Sequence, residues 1–327
     1  MSTENLELTQ EWDKVFPQSD AVDHEKVTFR TRFGITLAAD LYKPKDAGGP
    51  LPALAVAGPF GAVKEQSSGL YAQTVAERGF LAIAFDPSFT GESGGTPRYM
   101  NSPDINIEDF QAAVDFLSVR EDVDPECVGI IGICGWGGMA LAAAAADPRI
   151  KAAVVSTMYD LSRVAANGYF DSADSAEARN QTRASVAAQR TADYRSGTYA
   201  LAGGVVDPLP DDAPGFVKDY YAYYKTPRGY HPRSVNSNDG WTVIGGSSLM
   251  NATLLGYIEE IENAVMIVHG EAAHSYYMGK DAFVRLQGDN KEFVSIPGAS
   301  HTDLYDGGEN GAIPWEKITE FLHANLG

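Results

Sequence analysis

The chain has 327 residues, a formal net charge of −19 and 44% apolar residues. This length fits one large domain or a domain with an inserted cap, and the apolar share is sufficient for a sizeable core. A surface this acidic repels the phosphates of nucleic acids and anionic lipids, so we expect neither as a partner.

The cysteine content and the N-terminus indicate the compartment. Cys127 and Cys134 lie close together near one predicted strand, which is a poor arrangement for a structural disulfide. Residues 1–20 are polar and lack the apolar segment of a secretory signal, and no apolar run is long enough to span a bilayer. We therefore expect a reduced, cytoplasmic protein. Two cysteines without clustered histidines also predict no metal site.

Strand and helix patterns alternate along most of the chain. Short apolar or alternating runs predict strands at 26–30, 35–42, 53–57, 80–85, 128–133, 152–156, 264–269 and 292–296. Helical spacing and composition predict helices at 66–78, 107–119, 139–146 and 314–323. The alternation predicts an α/β fold with a mostly parallel central sheet and helices on both faces. The loops that follow the strands then meet along one edge of the sheet.

Residues 160–262 interrupt this alternation. They contain two helical stretches, 173–189 and 213–224, and a segment rich in Tyr and Pro. A connection of this length is usually a functional cap or lid. The sequence therefore predicts a core in two parts, 1–159 and 263–327, with a cap inserted between them.

The strand at 128–133 runs directly into Cys134 and then into an Ala-rich helix. This is the layout of a nucleophile elbow, in which the nucleophile stands at a helix N-terminus where free N–H groups favour a thiolate. One frame places Cys134 at the turn and leaves the bulky Trp136 where a small residue is usual. A second frame places Trp136 at the turn, which would make the protein catalytically dead.

We prefer the first frame because Cys134 is the one residue of this stretch able to attack a carbonyl. The alternative that Cys134 is simply a small buried hydrophobe stays open, since buried cysteines are common.

The segment GICGWGG resembles the elbow of the α/β-hydrolase superfamily, especially its dienelactone-hydrolase-like branch, where a Cys replaces the usual Ser. It departs from that branch at Trp136, although the cocaine-esterase-like relatives are similar in carrying a larger residue two places after the nucleophile. The resemblance covers nearly the whole chain, with 160–262 as an insertion. It implies an α/β-hydrolase fold with an inserted helical cap and cleavage of an ester, thioester or lactone through an acyl-enzyme, without a cofactor.

The resemblance also implies a Cys-His-acid triad. His301 lies in a short loop after the last predicted strand, where the superfamily carries its general base, and imidazole titrates near neutral pH. The superfamily acid usually follows the preceding strand, where Glu271 is the nearest carboxylate. Asp160 is the alternative acid.

The same resemblance points to the oxyanion hole and the pocket. The backbone N–H of Gly135, after the nucleophile, and that of Phe60, after the third predicted strand, are the expected oxyanion donors. Trp136 and His274 are expected to border the pocket. The Tyr-rich cap favours an apolar or aromatic acyl group, although most of its rings are expected to form the core of the cap itself.

The expected activity is therefore esterase-like hydrolysis of a small-molecule acyl substrate. Three other functions stay open: a non-catalytic binding protein with Trp136 at the elbow, an acyltransferase and a carbon–carbon bond hydrolase. A homodimer stays open as the assembly.

Overall fold

The structure is a computed structural model that describes residues 4–45 and 47–327. The beginning of the polar N-terminal stretch, residues 1–3, lies outside the described residues, as does Asp46 in the loop after the second predicted strand. No helix of the described ranges combines the length and apolar character needed to cross a membrane.

A sheet of eight strands forms the centre of the fold. Its strands are β1 (Val22–Arg30), β2 (Thr36–Pro44), β3 (Leu51–Ala57), β4 (Leu81–Phe85), β5 (Val123–Ile133), β6 (Ala152–Ser156), β7 (Ala264–Gly270) and β8 (Lys291–Ile296). They lie in the order β1-β2-β4-β3-β5-β6-β7-β8. Strand β2 pairs antiparallel with β1 and β4, and the other neighbouring pairs are parallel. The predicted α/β-hydrolase fold with a mostly parallel sheet is confirmed.

Helices cover both faces of the sheet. The helices are α1 (Ser67–Ala76), α2 (Pro103–Ser118), α3 (Gly135–Ala146), α4 (Leu161–Asn167), α5 (Ala176–Ser196), α6 (Gly215–Tyr224), α7 (Gly246–Met250), α8 (Tyr276–Arg285), α9 (Asp303–Asp306) and α10 (Trp315–Leu326). Phe110 of α2 and Leu141 of α3 belong to the apolar core on one face. Tyr71 of α1 and Phe321 of α10 belong to the core on the other face.

Two features of the helices differ from the sequence prediction. Helix α3 begins at Gly135 rather than at residue 139, because its glycines, which disfavour a helix intrinsically, lie in tight contact with neighbouring backbone. The connection between β6 and β7 contains α4 to α7, and the sequence predicted only two helices there. Helices α4 and α7 are too short to show a clear periodicity.

Candidate active site

The turn between β5 and α3 places Cys134 at its apex. Cys134 has φ 58° and ψ −125°, a backbone conformation that is strained for a residue with a Cβ atom. A Cβ atom on Gly132 would lie 2.2 Å from the Trp136 carbonyl oxygen, and one on Gly138 would lie 2.2 Å from the Tyr159 carbonyl oxygen. Helix α3 therefore passes so close to β5 and to the loop after β6 that glycine is required at both positions.

Trp136 lies in the core on the α2–α3 face, which corrects the expectation that it borders the pocket. Its ring makes edge-on contacts with Phe85, at 5.8 Å between centroids, and with Phe110, at 5.4 Å. The side chain is 1% exposed. Two residues past the apex, the helix has turned far enough to direct the indole away from the cavity, so a large residue fits there.

The thiol of Cys134 is buried against several hydrogen-bond donors. Burial raises the pKa of the Cys134 thiol to about 11. The hydroxyl of Tyr305, the backbone amides of Gly135 and Phe60, and the hydroxyl of Tyr220 act in the opposite direction and favour the thiolate. The two amides expected to form an oxyanion hole therefore lie beside the sulfur.

The loop that carries Phe60 is held by the segment that follows α6. The Asn236 side chain donates to the Phe60 carbonyl oxygen at 2.8 Å. The Asn236 backbone N–H and the Ser234 hydroxyl both donate to the Gly61 carbonyl oxygen at 3.0 Å. The ring of Phe60 also stacks on Trp241, with 4.4 Å between centroids. The orientation of the Phe60 amide thus depends on residues of the predicted cap.

A buried cluster of charges lies directly after this loop. The Lys64 ammonium is 2.6 to 2.7 Å from carboxylate oxygens of Glu65, Asp86 and Glu92. These three carboxylates are close enough to share one metal ion, but the ammonium already lies among them. The Lys64 backbone N–H also donates to Asp86 at 2.8 Å. The cluster therefore connects the oxyanion loop to the end of β4.

His301 is buried close to the elbow, and three hydroxyl groups surround its ring. Its Nδ1 lies 2.7 Å from the Ser275 hydroxyl and 2.9 Å from the Thr157 hydroxyl. Its Nε2 lies 3.1 Å from the Tyr305 hydroxyl. The side chain is 1% exposed, and burial holds the pKa of His301 well below its usual range. The imidazole is therefore neutral near pH 7, and one of its ring nitrogens carries a lone pair that can accept a hydrogen bond.

The structure does not bring either expected acid to His301. Glu271 is exposed after β7, and its carboxylate accepts a hydrogen bond from the Ser295 hydroxyl at 2.9 Å. Asp160 caps the N-terminus of α4 by accepting from the Arg163 backbone N–H at 3.0 Å. Both carboxylates are held by local partners, so in the described ranges hydroxyl groups replace the acid at Nδ1.

The sequence interpretation missed three partners of His301, namely Thr157, Ser275 and Tyr305. Thr157 directly follows β6 and has φ 46°, which is a rare conformation for a β-branched residue. This strain directs its hydroxyl toward His301. The sequence did carry one signal for Thr157, which is its position directly after a parallel strand. A threonine was not considered there because the expected third member of the triad is a carboxylate.

His274 lies beside His301 and is absent from the lining of the cavity over Cys134, which corrects the expectation that it borders the pocket. The two rings are 5.1 Å apart, and His274 stacks on Phe216 at 4.4 Å. Its Nε2 contacts the Tyr159 hydroxyl. Burial lowers the pKa of His274 to about 4, so this imidazole is also neutral near pH 7.

A cavity of about 260 Å³ opens over Cys134. Core loops and the segment between β6 and β7 both contribute to its wall. The lining residues are Phe60, Cys134, Tyr159, Leu161, Val164, Tyr169, Gly203, Gly204, Val205, Tyr220, Tyr224, Asn236, Trp241 and Tyr305. None of these side chains carries a formal charge at neutral pH. Aromatic rings and aliphatic groups dominate the wall, and hydroxyl groups cluster near the sulfur.

The strand–turn–helix elbow and the sheet topology define an α/β hydrolase. The chain belongs to the family described as X-Pro dipeptidyl-peptidase (S15 family), whose model matches residues 34–270.

Three known proteins show the range of similarity. The chain is 54% identical over 323 residues to uncharacterized protein PA2218 of Pseudomonas aeruginosa, which covers 98% of this chain and 86% of that protein. The superposition on the crystal structure of hypothetical protein PA2218 covers 99% of this chain and 100% of the chain in that crystal structure, with a TM-score of 0.95.

The α/β hydrolase GrgF from a Penicillium species shares the fold, with 21% identity, a TM-score of 0.75, and coverage of 93% of this chain and 99% of that one. Thiohydrolase aneE of Aspergillus aculeatus is 37% identical over 128 residues, which is 39% of each chain.

Proposed function

We propose that the protein hydrolyses a neutral thioester or ester through an acyl-enzyme on Cys134, with His301 as the general base. One observation carries this proposal: the sulfur stands at a strained apex, at the N-terminus of α3, beside the amides of Gly135 and Phe60. A buried cysteine without a chemical role needs neither the strained conformation nor the converging donors.

The geometry supports acyl transfer in two steps. The Cys134 proton leaves toward His301, the sulfur electron pair attacks the substrate carbonyl, and the carbonyl oxygen becomes an oxyanion. The amides of Gly135 and Phe60 stabilise that charge, and its collapse expels the leaving group with the proton from the imidazolium. Water then attacks the acyl-enzyme with the same base, and the acid product leaves.

The cavity lining favours a neutral acyl group over a peptide N-terminus. Release of an X-Pro dipeptide requires a site for a free ammonium group, and burying such a charge without a carboxylate is costly. The lining residues carry no carboxylate side chain. Tyr169, Trp241 and Leu161 instead provide apolar surface for an aromatic or branched acyl chain. Within a family named for a peptidase, this chain therefore has a pocket suited to an uncharged ester-type substrate.

A thioester is the better candidate within this class. The local similarity to a protein named a thiohydrolase covers 39% of this chain and supports that choice. The likeness of GICGWGG to the dienelactone-hydrolase-like elbow points to the same Cys chemistry. The non-catalytic alternative placed Trp136 at the apex, and the core position of the indole favours the catalytic proposal.

The experiment compares wild type, Cys134→Ala and His301→Ala on a panel of aryl thioesters, aryl esters and X-Pro anilides. We expect thioester cleavage by wild type, and a loss of about 100-fold or more in each variant. Cys127→Ala is the matched control, because Cys127 is also a free thiol on β5 but lies away from the cavity. Equal rates in wild type and Cys134→Ala, or preferred cleavage of the X-Pro anilide, would refute the proposal.

Product analysis distinguishes hydrolysis from the remaining alternatives. Free acid as the product indicates hydrolysis, whereas an acylated added alcohol or amine indicates acyl transfer to another acceptor.

We also propose that the protein acts in the reducing cytoplasm, because both of its cysteines are free and Cys134 must remain a thiol.

A further inference from the structure

The contact between the nucleophile and the base runs through a tyrosine. The Nε2 atom of His301 lies 3.1 Å from the Tyr305 hydroxyl. Tyr305 and Cys134 both line the cavity, where the hydroxyl acts on the thiol as a donor that favours the thiolate. The other ring nitrogen is engaged by Ser275 and Thr157. Among the described residues, the hydrogen-bond partner of Nε2 is the Tyr305 hydroxyl, so a proton can pass between the sulfur and the imidazole through that hydroxyl.

From this arrangement we infer that Tyr305 is a catalytic residue that relays the proton between Cys134 and His301. The inference rests on the proposed function, because it describes how the thiol is activated for that reaction. The S–H bond breaks as its proton passes to the Tyr305 oxygen, while the original Tyr305 proton passes to Nε2. Tyrosine gains one proton and loses one, the imidazole becomes an imidazolium, and the sulfur keeps its electron pair for the carbonyl.

The relay fixes the tautomer of His301. Nε2 must be unprotonated to accept from Tyr305, so Nδ1 carries the ring hydrogen and donates to the hydroxyl oxygen of Ser275 or Thr157. After the transfer, the Tyr305 hydroxyl donates to the thiolate, which is the arrangement that favours the charged sulfur. Collapse of the tetrahedral intermediate reverses the path, and the leaving group receives the proton from the imidazolium through Tyr305.

The surrounding structure holds the Tyr305 hydroxyl in this position. The residue lies four positions after His301 in α9, is fully buried, and packs edge-on against Tyr223 with 5.0 Å between centroids. The hydroxyl of Tyr71 donates to the Leu304 carbonyl oxygen at 2.7 Å, which fixes the backbone just before Tyr305. A buried tyrosine hydroxyl needs only one hydrogen-bond partner. The Tyr305 hydroxyl instead lies between two reactive groups, the His301 imidazole and the Cys134 thiol.

The test replaces Tyr305 by Phe in a Cys127→Ala background, in which Cys134 is the remaining thiol. The ring stays, so the packing against Tyr223 is preserved. The matched control is Tyr223→Phe, which removes the hydroxyl of a buried neighbouring tyrosine that has no hydrogen-bond partner in the described part of the chain. Three readouts are needed: kcat/KM on an aryl thioester, the proton inventory in H₂O–D₂O mixtures, and the pH profile of Cys134 alkylation by iodoacetamide.

We expect kcat/KM of Tyr305→Phe to fall about 100-fold, the usual range for loss of a proton-transfer group, with little change for Tyr223→Phe. The proton inventory should be curved for the background enzyme, because two protons move together, and should lose that curvature in Tyr305→Phe. Alkylation of Tyr305→Phe should require higher pH, because the thiolate loses a donor.

An unchanged kcat/KM together with an unchanged alkylation profile in Tyr305→Phe would overturn the relay, as would an increase in rate, which would make Tyr305 an obstruction. If the enzyme with Tyr305 intact cleaves no thioester or ester, the proposed function fails. The alkylation profile then still decides whether Tyr305 activates the thiol.

Discussion

Replacing Trp136 by Ala tests the assignment of the elbow directly. The indole fills the space between α3 and the core residues Phe85 and Phe110, so its removal leaves a cavity beneath the helix that carries the nucleophile. Replacing a fully buried Trp by Ala typically costs about 3–5 kcal/mol of unfolding free energy. A chain of 327 residues has an unfolding entropy of about 0.7 kcal/mol/K, so the melting temperature should fall by roughly 4–7 °C.

The assay combines the melting temperature with kcat/KM on an aryl thioester measured well below the transition. Trp241 provides the contrast, because it lines the cavity and stacks on Phe60 instead of filling the core. We expect Trp136→Ala to lose stability while retaining most of its activity, and Trp241→Ala to raise KM with a smaller loss of stability. If Trp136→Ala instead keeps the wild-type melting temperature and changes substrate selectivity, the indole faces the cavity and our elbow assignment is wrong.

Three further outcomes follow from the site and the core. Asn236→Ala removes a hydrogen bond to the Phe60 carbonyl worth about 0.5–1.5 kcal/mol, so kcat should fall roughly 2- to 12-fold, and an unchanged kcat would contradict the proposed clamp. Thr157→Asp places a carboxylate at Nδ1 and should raise the pKa of His301, which moves the acidic limb of the kcat/KM profile to higher pH; an unmoved limb would count against Nδ1 facing Thr157. Burial raises the pKa of Asp109 to about 7, so the folded state binds this proton more tightly than the unfolded chain, and the resulting stability is lost as pH rises from about 4 through 7. In urea denaturation at about pH 5 and pH 8, wild type should therefore lose more stability with rising pH than Asp109→Asn, and parallel losses would refute the assignment.

Much of the scaffold could be predicted from the sequence because its strands are short apolar runs. The stretch that forms β5 ends directly at Cys134, and this adjacency was enough to place an elbow there. Helix boundaries were less accessible, since α3 starts within a glycine-rich stretch whose conformation depends on contacts with Tyr159 and the strand. Local propensity carries no information about such contacts.

Two partners of His301, Ser275 and Tyr305, were beyond the reach of sequence reasoning for a different reason. Glu271 is close to the expected position along the chain, but its side chain turns to solvent, and Ser275 reaches the imidazole instead. Tyr305 lies four residues after His301, a spacing that brings side chains together only if the segment is helical. The four-residue helix α9 that creates this proximity is too short to show a periodic pattern.

The set of partners around His301 bears on the choice of nucleophile. A serine hydroxyl is a very weak acid. Its activation therefore depends on a histidine that a carboxylate orients and whose imidazolium form that carboxylate stabilises. A thiol has an ordinary pKa near 8.5 and gives up its proton far more readily, even where burial raises the pKa, as it does for Cys134. An imidazole held by the hydroxyls of Ser275 and Thr157 is therefore a weaker base matched to a stronger acid.

This match makes a prediction for Cys134→Ser, which changes one atom at the apex. With no carboxylate bonded to His301 in the described ranges, the imidazolium that serine chemistry requires would be poorly stabilised. The variant should therefore lose nearly as much activity as Cys134→Ala. Adding Thr157→Asp should restore part of the lost activity to Cys134→Ser, and the measurement is kcat/KM of the single and double variants on the same aryl thioester. An active Cys134→Ser enzyme without the added carboxylate would show that the hydroxyl partners suffice for serine and that the thiol is not required.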